Sequence, residues 1–120
     1  MNSVEFFDFC KSNGLTSYSD ISEKFCVSSQ TIRNWEKRKI LPYWVYLATF
    51  SVNAGIDVKK YSFSDFKKWQ KKYNLNTYAD TGDIFSVKRQ AIHQWFRRGK
   101  FPDWLGIACV GYDVKMKNNL

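Results

Sequence analysis

Hydrophobic residues recur along this chain at spacings of three and four, the pattern of helices that bury one face. Phe6, Phe9 and Cys10, for example, share a face of the first predicted helix, for which Ser3 is the expected N-cap. No segment alternates over enough residues to be a strand. The pattern therefore predicts an all-α fold. In the first half of the chain we predict helices over about residues 3–13, 18–25 and 28–37, and from Pro42 onward.

The same pattern returns after 60 residues without a gap. The recurring identities include Phe6/Phe66, Val27/Val87, Gln30/Gln90, Ile32/Ile92, Trp35/Trp95, Pro42/Pro102 and Trp44/Trp104. In the second copy Ser64 is the expected first N-cap, Thr77 precedes the second helix, and Pro102 begins the fourth. We therefore predict two tandem units of about four helices each, over residues 1–52 and 63–120, with a linker over 53–62.

Small units of this size rarely bury enough surface alone, so we expect either packing between the copies or a homodimer of chains. Trp35, Trp44, Trp95 and Trp104 lie on apolar stripes and are predicted core residues. Phe7, Val45 and Leu105 lie outside the stripes. They are expected either to fill the local core or to form a contact between copies or between chains.

The third predicted helix of each copy carries polar residues on the face opposite its apolar stripe. In the second copy, Ile92 and Trp95 face the core, and Arg89, Gln90 and Gln94 fall on the other side. Gln and Asn can pair bidentately with adenine, and Arg can pair with guanine in the major groove. These helices are therefore predicted to read duplex DNA.

Two stretches resemble the helix-turn-helix of lambda-type phage repressors and Cro proteins: residues 20–35 with Pro42, and residues 88–95 with 98–102. The resemblance covers roughly residues 3–50 and 63–110. It implies a helix-turn-helix fold, a double-stranded DNA partner and a role in transcription regulation. The family usually has glycine in the turn, where Cys26 and Ser86 stand in this chain, so a left-handed backbone is implied at both.

The resemblance also implies the site residues. Base contacts are expected from Ser28, Ser29, Gln30, Arg33, Asn34 and Lys37, and from Lys88, Arg89, Gln90, His93, Gln94 and Arg97. Phosphate contacts are expected from Ser17, Tyr18, Thr77, Tyr78, Arg38, Arg98 and Lys100.

Charge favours an anionic partner. The formal net charge is +8. Residues 1–60 hold eight Lys/Arg against six Asp/Glu, whereas residues 61–120 hold eleven against five. We therefore expect the second copy to bind DNA more strongly. The lysines of its first helix form either a phosphate-contacting face or an ordinary solvated one; they are Lys67, Lys68, Lys71 and Lys72.

Other chemistry is poorly represented. Cys10, Cys26 and Cys109 are scattered and the chain has one histidine, so no metal site and no cofactor are expected. No nucleophile–base pair can be assembled, so we expect neither an enzyme nor a small-molecule substrate. No signal peptide and no apolar run of membrane-spanning length is present, so no membrane partner is expected. The expected location is the cytoplasm, or the host cytoplasm or nucleoid if the chain is phage-derived.

The leading prediction is a sequence-specific transcriptional regulator, in which one chain presents two recognition helices as a pseudo-dimer. In a competing arrangement only the second copy binds DNA, while the first pairs with another chain through Phe7, Val45 or Tyr46. The alternative function is a protein-binding module, an inhibitor or antirepressor that reuses the same fold.

Overall fold

The computed structural model describes residues 1–118, and within that range the chain is all-helical. Its single β-bridge there joins Asn2 to Ile40. The eight helices of the described range are α1 (Ser3–Ser12), α2 (Tyr18–Phe25), α3 (Ser29–Glu36), α4 (Tyr43–Asn53), α5 (Phe63–Lys72), α6 (Tyr78–Phe85), α7 (Arg89–Arg98) and α8 (Leu105–Lys117). The radius of gyration is 14.1 Å, close to the roughly 13.6 Å expected of a compact domain of this length.

The N-caps of α1 and α5 differ from the sequence prediction. Asn2, not Ser3, caps α1, and Ser62, not Ser64, caps α5. Both are capping boxes, because the carboxylate of the third helical residue accepts a hydrogen bond from the backbone N–H of the cap: Glu5 from Asn2 and Asp65 from Ser62. The reciprocal bond explains the choice, since Ser3 and Ser64 have no such partner three residues later.

The next helices begin and end close to the prediction. Ser17 and Thr77 cap α2 and α6 by accepting from the backbone N–H of Asp20 and Asp80, both at 3.0 Å. The start of α8 was predicted wrongly. Pro102 precedes a turn, and the helix begins only at Leu105, whereas Pro42 directly precedes α4 as predicted.

Helices α4 and α8 form the most extensive helix–helix contact of the fold. The indoles of Trp44 and Trp104 stack with 4.6 Å between centroids and 3° between planes. Further along, the buried Ser51 hydroxyl donates to the carbonyl of Ile107 at 2.9 Å. A Cβ at Gly111 would overlap the carbonyl oxygen of Leu47. The two helices are therefore in backbone-to-backbone proximity.

One hydrophobic core contains buried residues from both halves of the chain. Trp35 and Trp44 are buried, and Trp95 and Trp104 are half-buried against the same core. Val45 and Leu105, for which core filling and a contact between copies or between chains were both expected, are fully buried in this core. Neither is accessible for a contact with a second chain.

The segment between α4 and α5 is packed rather than free. The carbonyl of Lys59 would lie 2.6 Å from a Cβ at Gly106, so this segment runs directly over α8. Lys60 also forms an ion pair with Asp103, with 2.7 Å between Nζ and the carboxylate. The connection is therefore packed against the start of α8.

Among residues 1–118, no helix is long and apolar enough to cross a membrane. Cys10, Cys26 and Cys109 are free thiols. In the same range no group of three His, Cys, Asp or Glu side chains is placed to hold a metal ion.

Candidate nucleic-acid interface

Helices α2 and α3 are joined by the three residues Cys26, Val27 and Ser28. Cys26 has φ 58° and ψ 42°, the left-handed region that the resemblance implied. Ser28 caps α3 by accepting from the backbone N–H of Thr31 at 3.1 Å. The tight turn thus places α3 across α2 with its first residues at the surface.

Helices α6 and α7 meet in the same way. Ser86 is left-handed, with φ 56°, and Lys88 is the N-cap residue of α7. A Cβ at Gly82 would lie 2.5 Å from the carbonyl of Val87, so α6 and α7 approach more closely at this point than a side chain would allow. In the first half Ser22 stands at this place, and its hydroxyl lies 3.3 Å from that of Ser29.

Helix α3 has a buried apolar face and an exposed polar face. Ile32 and Trp35 are buried, whereas the predicted base-contacting side chains are exposed, except for the half-buried Ser29. The Nε2 of Gln30 donates to Oδ1 of Asn34 at 3.0 Å. This bond holds the two amides together and leaves the Oε1 of Gln30 and the Nδ2 of Asn34 directed away from their shared bond.

Two side chains of α3, Arg33 and Glu36, form a cluster with Tyr18 at the start of α2. The hydroxyl of Tyr18 donates to the carboxylate of Glu36, and the guanidinium carbon of Arg33 lies 5.1 Å from the Tyr18 ring centroid. The hydrogen bond to Glu36 raises the pKa of Tyr18. The predicted phosphate contact by Tyr18 is therefore hindered, because its donor is occupied and a carboxylate lies beside it.

Helix α7 presents a more cationic face. Ile92 is buried, Gln94 is half-buried, and the other predicted base-contacting residues are exposed. The ring of His93 stacks on Tyr78 at 5.1 Å. At the position that corresponds to Glu36 the chain has Phe96, which packs against Tyr78, so the carboxylate that binds the Tyr18 hydroxyl has no counterpart there.

The remaining predicted phosphate contacts are placed as follows. Ser17 and Thr77 are exposed but serve as helix caps, so their oxygens already accept one hydrogen bond. Arg38 follows α3, Arg98 ends α7 and Lys100 follows it, and all three are exposed. Positive charge therefore borders the C-terminal end of each third helix.

An aromatic cluster beside α7 was not foreseen. Phe63 is 53% exposed and packs edge-on against Phe96, with 5.5 Å between ring centroids. The ring centroid of Phe101 lies 6.2 Å from that of Phe63. The ammonium of Lys67 lies 5.1 Å from the Phe96 centroid and 5.8 Å from that of Phe63. The equivalent positions of the first half hold Ser3, Glu36 and Leu41, so the repeat gave no signal for this cluster.

The N-terminal end of α3 has its own electrostatic neighbour. A shallow cleft brings Cys26 and Ser28 beside the Lys60–Asp103 ion pair. The hydrogen bond that Lys60 donates to the Asp103 carboxylate raises the pKa of Lys60. Burial, with a smaller contribution from Asp103, raises the pKa of the Cys26 thiol. The start of α3 therefore has the uncharged Ser28 and Ser29 beside an ion pair, whereas the corresponding residues of the second half are the cations Lys88 and Arg89.

Comparison of the chain with protein-family models, curated proteins and solved structures found no match. The resemblance to the lambda-type repressors therefore rests on the residues of the two turns and their helices.

Proposed function

We propose that the chain is a sequence-specific, duplex-DNA-binding transcriptional regulator built from two tandem helix-turn-helix units. The observation that carries this proposal is the shared geometry of α3 and α7. Each helix follows a left-handed turn residue, buries an Ile or an Ile–Trp pair, and exposes amides and cations on the opposite face. An exposed helix with this chemistry fits the major groove, where amides and guanidinium groups distinguish base pairs.

The contacts of α4 with α8 support a pseudo-dimer within one chain. Trp44 stacks on Trp104, Ser51 contacts the carbonyl of Ile107, and Gly111 contacts the carbonyl of Leu47. The 60-residue repeat relates Trp44 to Trp104, Leu47 to Ile107 and Ser51 to Gly111. The residue equivalent to Ser51 therefore contacts the carbonyl of the residue equivalent to Leu47 in both directions across the two helices. Such an exchange of roles is the property of an isologous interface, so a pseudo-twofold axis between the two helices accounts for all three contacts.

The dimensions are compatible with two half-sites. The Cα atoms span 38 Å along the longest axis. This extent is an upper bound on the spacing of α3 and α7, and the roughly 34 Å between recognition helices in successive major grooves lies within it. In the competing arrangement the first unit pairs with another chain. This arrangement is weakened because Val45 is buried and cannot take part in a contact between chains. A regulator of this class acts in the cytoplasm, or in the nucleoid of a bacterial host.

Selection from a random duplex library, followed by fluorescence anisotropy at 50–200 mM salt, tests the proposal. We expect one preferred sequence and, for about six neutralised phosphates, a slope of log K against log salt near −5. Equal affinity for every duplex, or a flat salt response, would instead favour the protein-binding module.

A further inference from the structure

Four indole rings connect α3 to α7 through the α4–α8 contact. Trp35 packs on Trp44 at 5.7 Å, Trp44 stacks on Trp104 at 4.6 Å, and Trp104 packs on Trp95 at 5.7 Å. The ring centroids of Trp35 and Trp95 therefore lie at most about 16 Å apart. Each outer indole belongs to one of the two helices proposed to read DNA.

This chain of rings limits the distance between the two reading helices. A side chain extends about 6 Å from its helix axis, so the axes are at most about 28 Å apart at the level of Trp35 and Trp95. That is less than one DNA turn, about 34 Å. The residues at the start of each helix lie about 9 Å further along the axis. The helices therefore reach a spacing of one turn only by diverging toward Ser29 and Arg89.

We infer that the Trp44–Trp104 stack fixes the spacing of the two DNA half-sites that one chain reads. This inference rests on the DNA-binding function proposed above. A flexible tether would allow many half-site spacings, because the effective concentration of the second unit at its half-site would change slowly with the distance between the half-sites. Here the stack is continued by the Ser51–Ile107 bond and the Gly111–Leu47 contact, and the linker packs on α8 where the carbonyl of Lys59 lies against Gly106. The joint is therefore rigid, and Trp44 and Trp104 act as positioning residues.

The first measurement uses the wild-type chain on duplexes derived from the selected site. One series carries a single half-site, and another carries both half-sites with zero to six inserted base pairs. We expect the native spacing to bind about 100-fold more tightly than the half-site. An insertion of five base pairs, about half a turn, should abolish this gain by moving the second half-site to the opposite face.

The second measurement repeats the series with Trp104→Leu, which removes the stack. Trp69→Leu is the matched control, because Trp69 is a buried indole of the second half that makes no ring contact with Trp44, Trp95 or Trp104. It contacts α8 away from the stack, through Tyr112 and through a hydrogen bond from its N–H to the carbonyl of Cys109 at 3.2 Å. Circular dichroism and thermal melting establish that both variants fold, and Trp104→Met, which likewise has no ring to stack, replaces Trp104→Leu if the latter does not. We expect Trp104→Leu to bind the half-site within twofold of the wild-type affinity. Its preference for the full site at native spacing over the half-site should be at least tenfold smaller than that of the wild type. The control should retain the gain.

A merely structural role of Trp104 would lower half-site and full-site affinity together, and that result would overturn the inference. So would a wild-type chain that tolerates the five-base-pair insertion, or a folded variant that keeps the wild-type preference for spacing. Failure to select any preferred duplex would defeat the proposed function itself, and the inference with it.

Discussion

The indole rings of Trp44 and Trp104 lie parallel, 4.6 Å apart, at the contact between α4 and α8. Seven residues further along each helix, the chain places two small residues against the facing backbone. Ser51 donates to a carbonyl of α8, and Gly111 lies against a carbonyl of α4. The two helices approach closely because neither position carries a larger side chain.

Gly111→Ala should therefore be strongly destabilising. The new Cβ would overlap the carbonyl oxygen of Leu47, a backbone atom that moves only if the helices separate. We expect a loss of about 3 kcal/mol, at the upper end of overpacking effects. Ser51→Ala is the matched control, since it loses one hydrogen bond, worth about 1 kcal/mol, without overlap. Urea unfolding measures both, and equal losses would contradict this account of the contact.

Much of the helical order could be predicted from the sequence, because the apolar stripes have a period near 3.6. The left-handed turns at Cys26 and Ser86 also agree with the resemblance. The N-caps at Asn2 and Ser62 were missed although a signal existed. Each is followed three residues later by an acidic residue, the sequence of a capping box.

Other features of the site depend on how helices cross, which no single stretch reveals. The bond between Tyr18 and Glu36 joins residues 18 positions apart, on α2 and α3. The sequence did not predict either whether Val45 fills the core or contacts another copy or chain, because α4 is apolar on more than one side. The structure shows that this helix is enclosed by both halves of the core.

Arg89→Ala should weaken binding to the preferred duplex more than Ser29→Ala. Arg89 is exposed at the start of α7, whereas its counterpart Ser29 is half-buried against Ser22. Loss of a bidentate guanine contact costs about 1–3 kcal/mol and relaxes one base position. Anisotropy on the selected duplex and its single-base variants measures both effects. Lys117→Ala, in the last turn of α8, controls for the lost charge. A larger effect of Ser29→Ala would reverse our ranking of the two units.

Glu36→Gln should tighten DNA binding. The substitution removes a negative charge from the exposed part of α3 and leaves the hydroxyl of Tyr18 with a neutral, weaker acceptor, with which a phosphate competes more easily. We expect a severalfold gain in affinity at low salt and a slope steeper by up to about 0.9, the value of one added phosphate contact. Glu23→Gln on α2 is the charge-matched control. Unchanged affinity in the Glu36 variant would place this cluster outside the interface.

Stability should fall at alkaline pH. Burial raises the pKa of the Cys10 thiol from 9.0 to about 12, and burial also raises that of Cys109. The folded chain therefore keeps protons that the unfolded chain loses above pH 9, so the free energy of unfolding decreases as pH rises from 9 toward 12. Unfolding measured over this range should show a shallower decline for Cys10→Ala. Val45→Ala, an uncharged buried truncation, should keep the wild-type decline. Identical declines in both variants would exclude Cys10 as a source.

The central claim is that one chain reads two half-sites with α3 and α7. The mass of the complex with the selected duplex, determined by native mass spectrometry, tests this claim most directly. The account predicts one 14.2 kDa chain on a duplex that holds both half-sites, and no complex of comparable stability on a scrambled duplex. Two chains on that duplex, each contributing one reading helix, would contradict it.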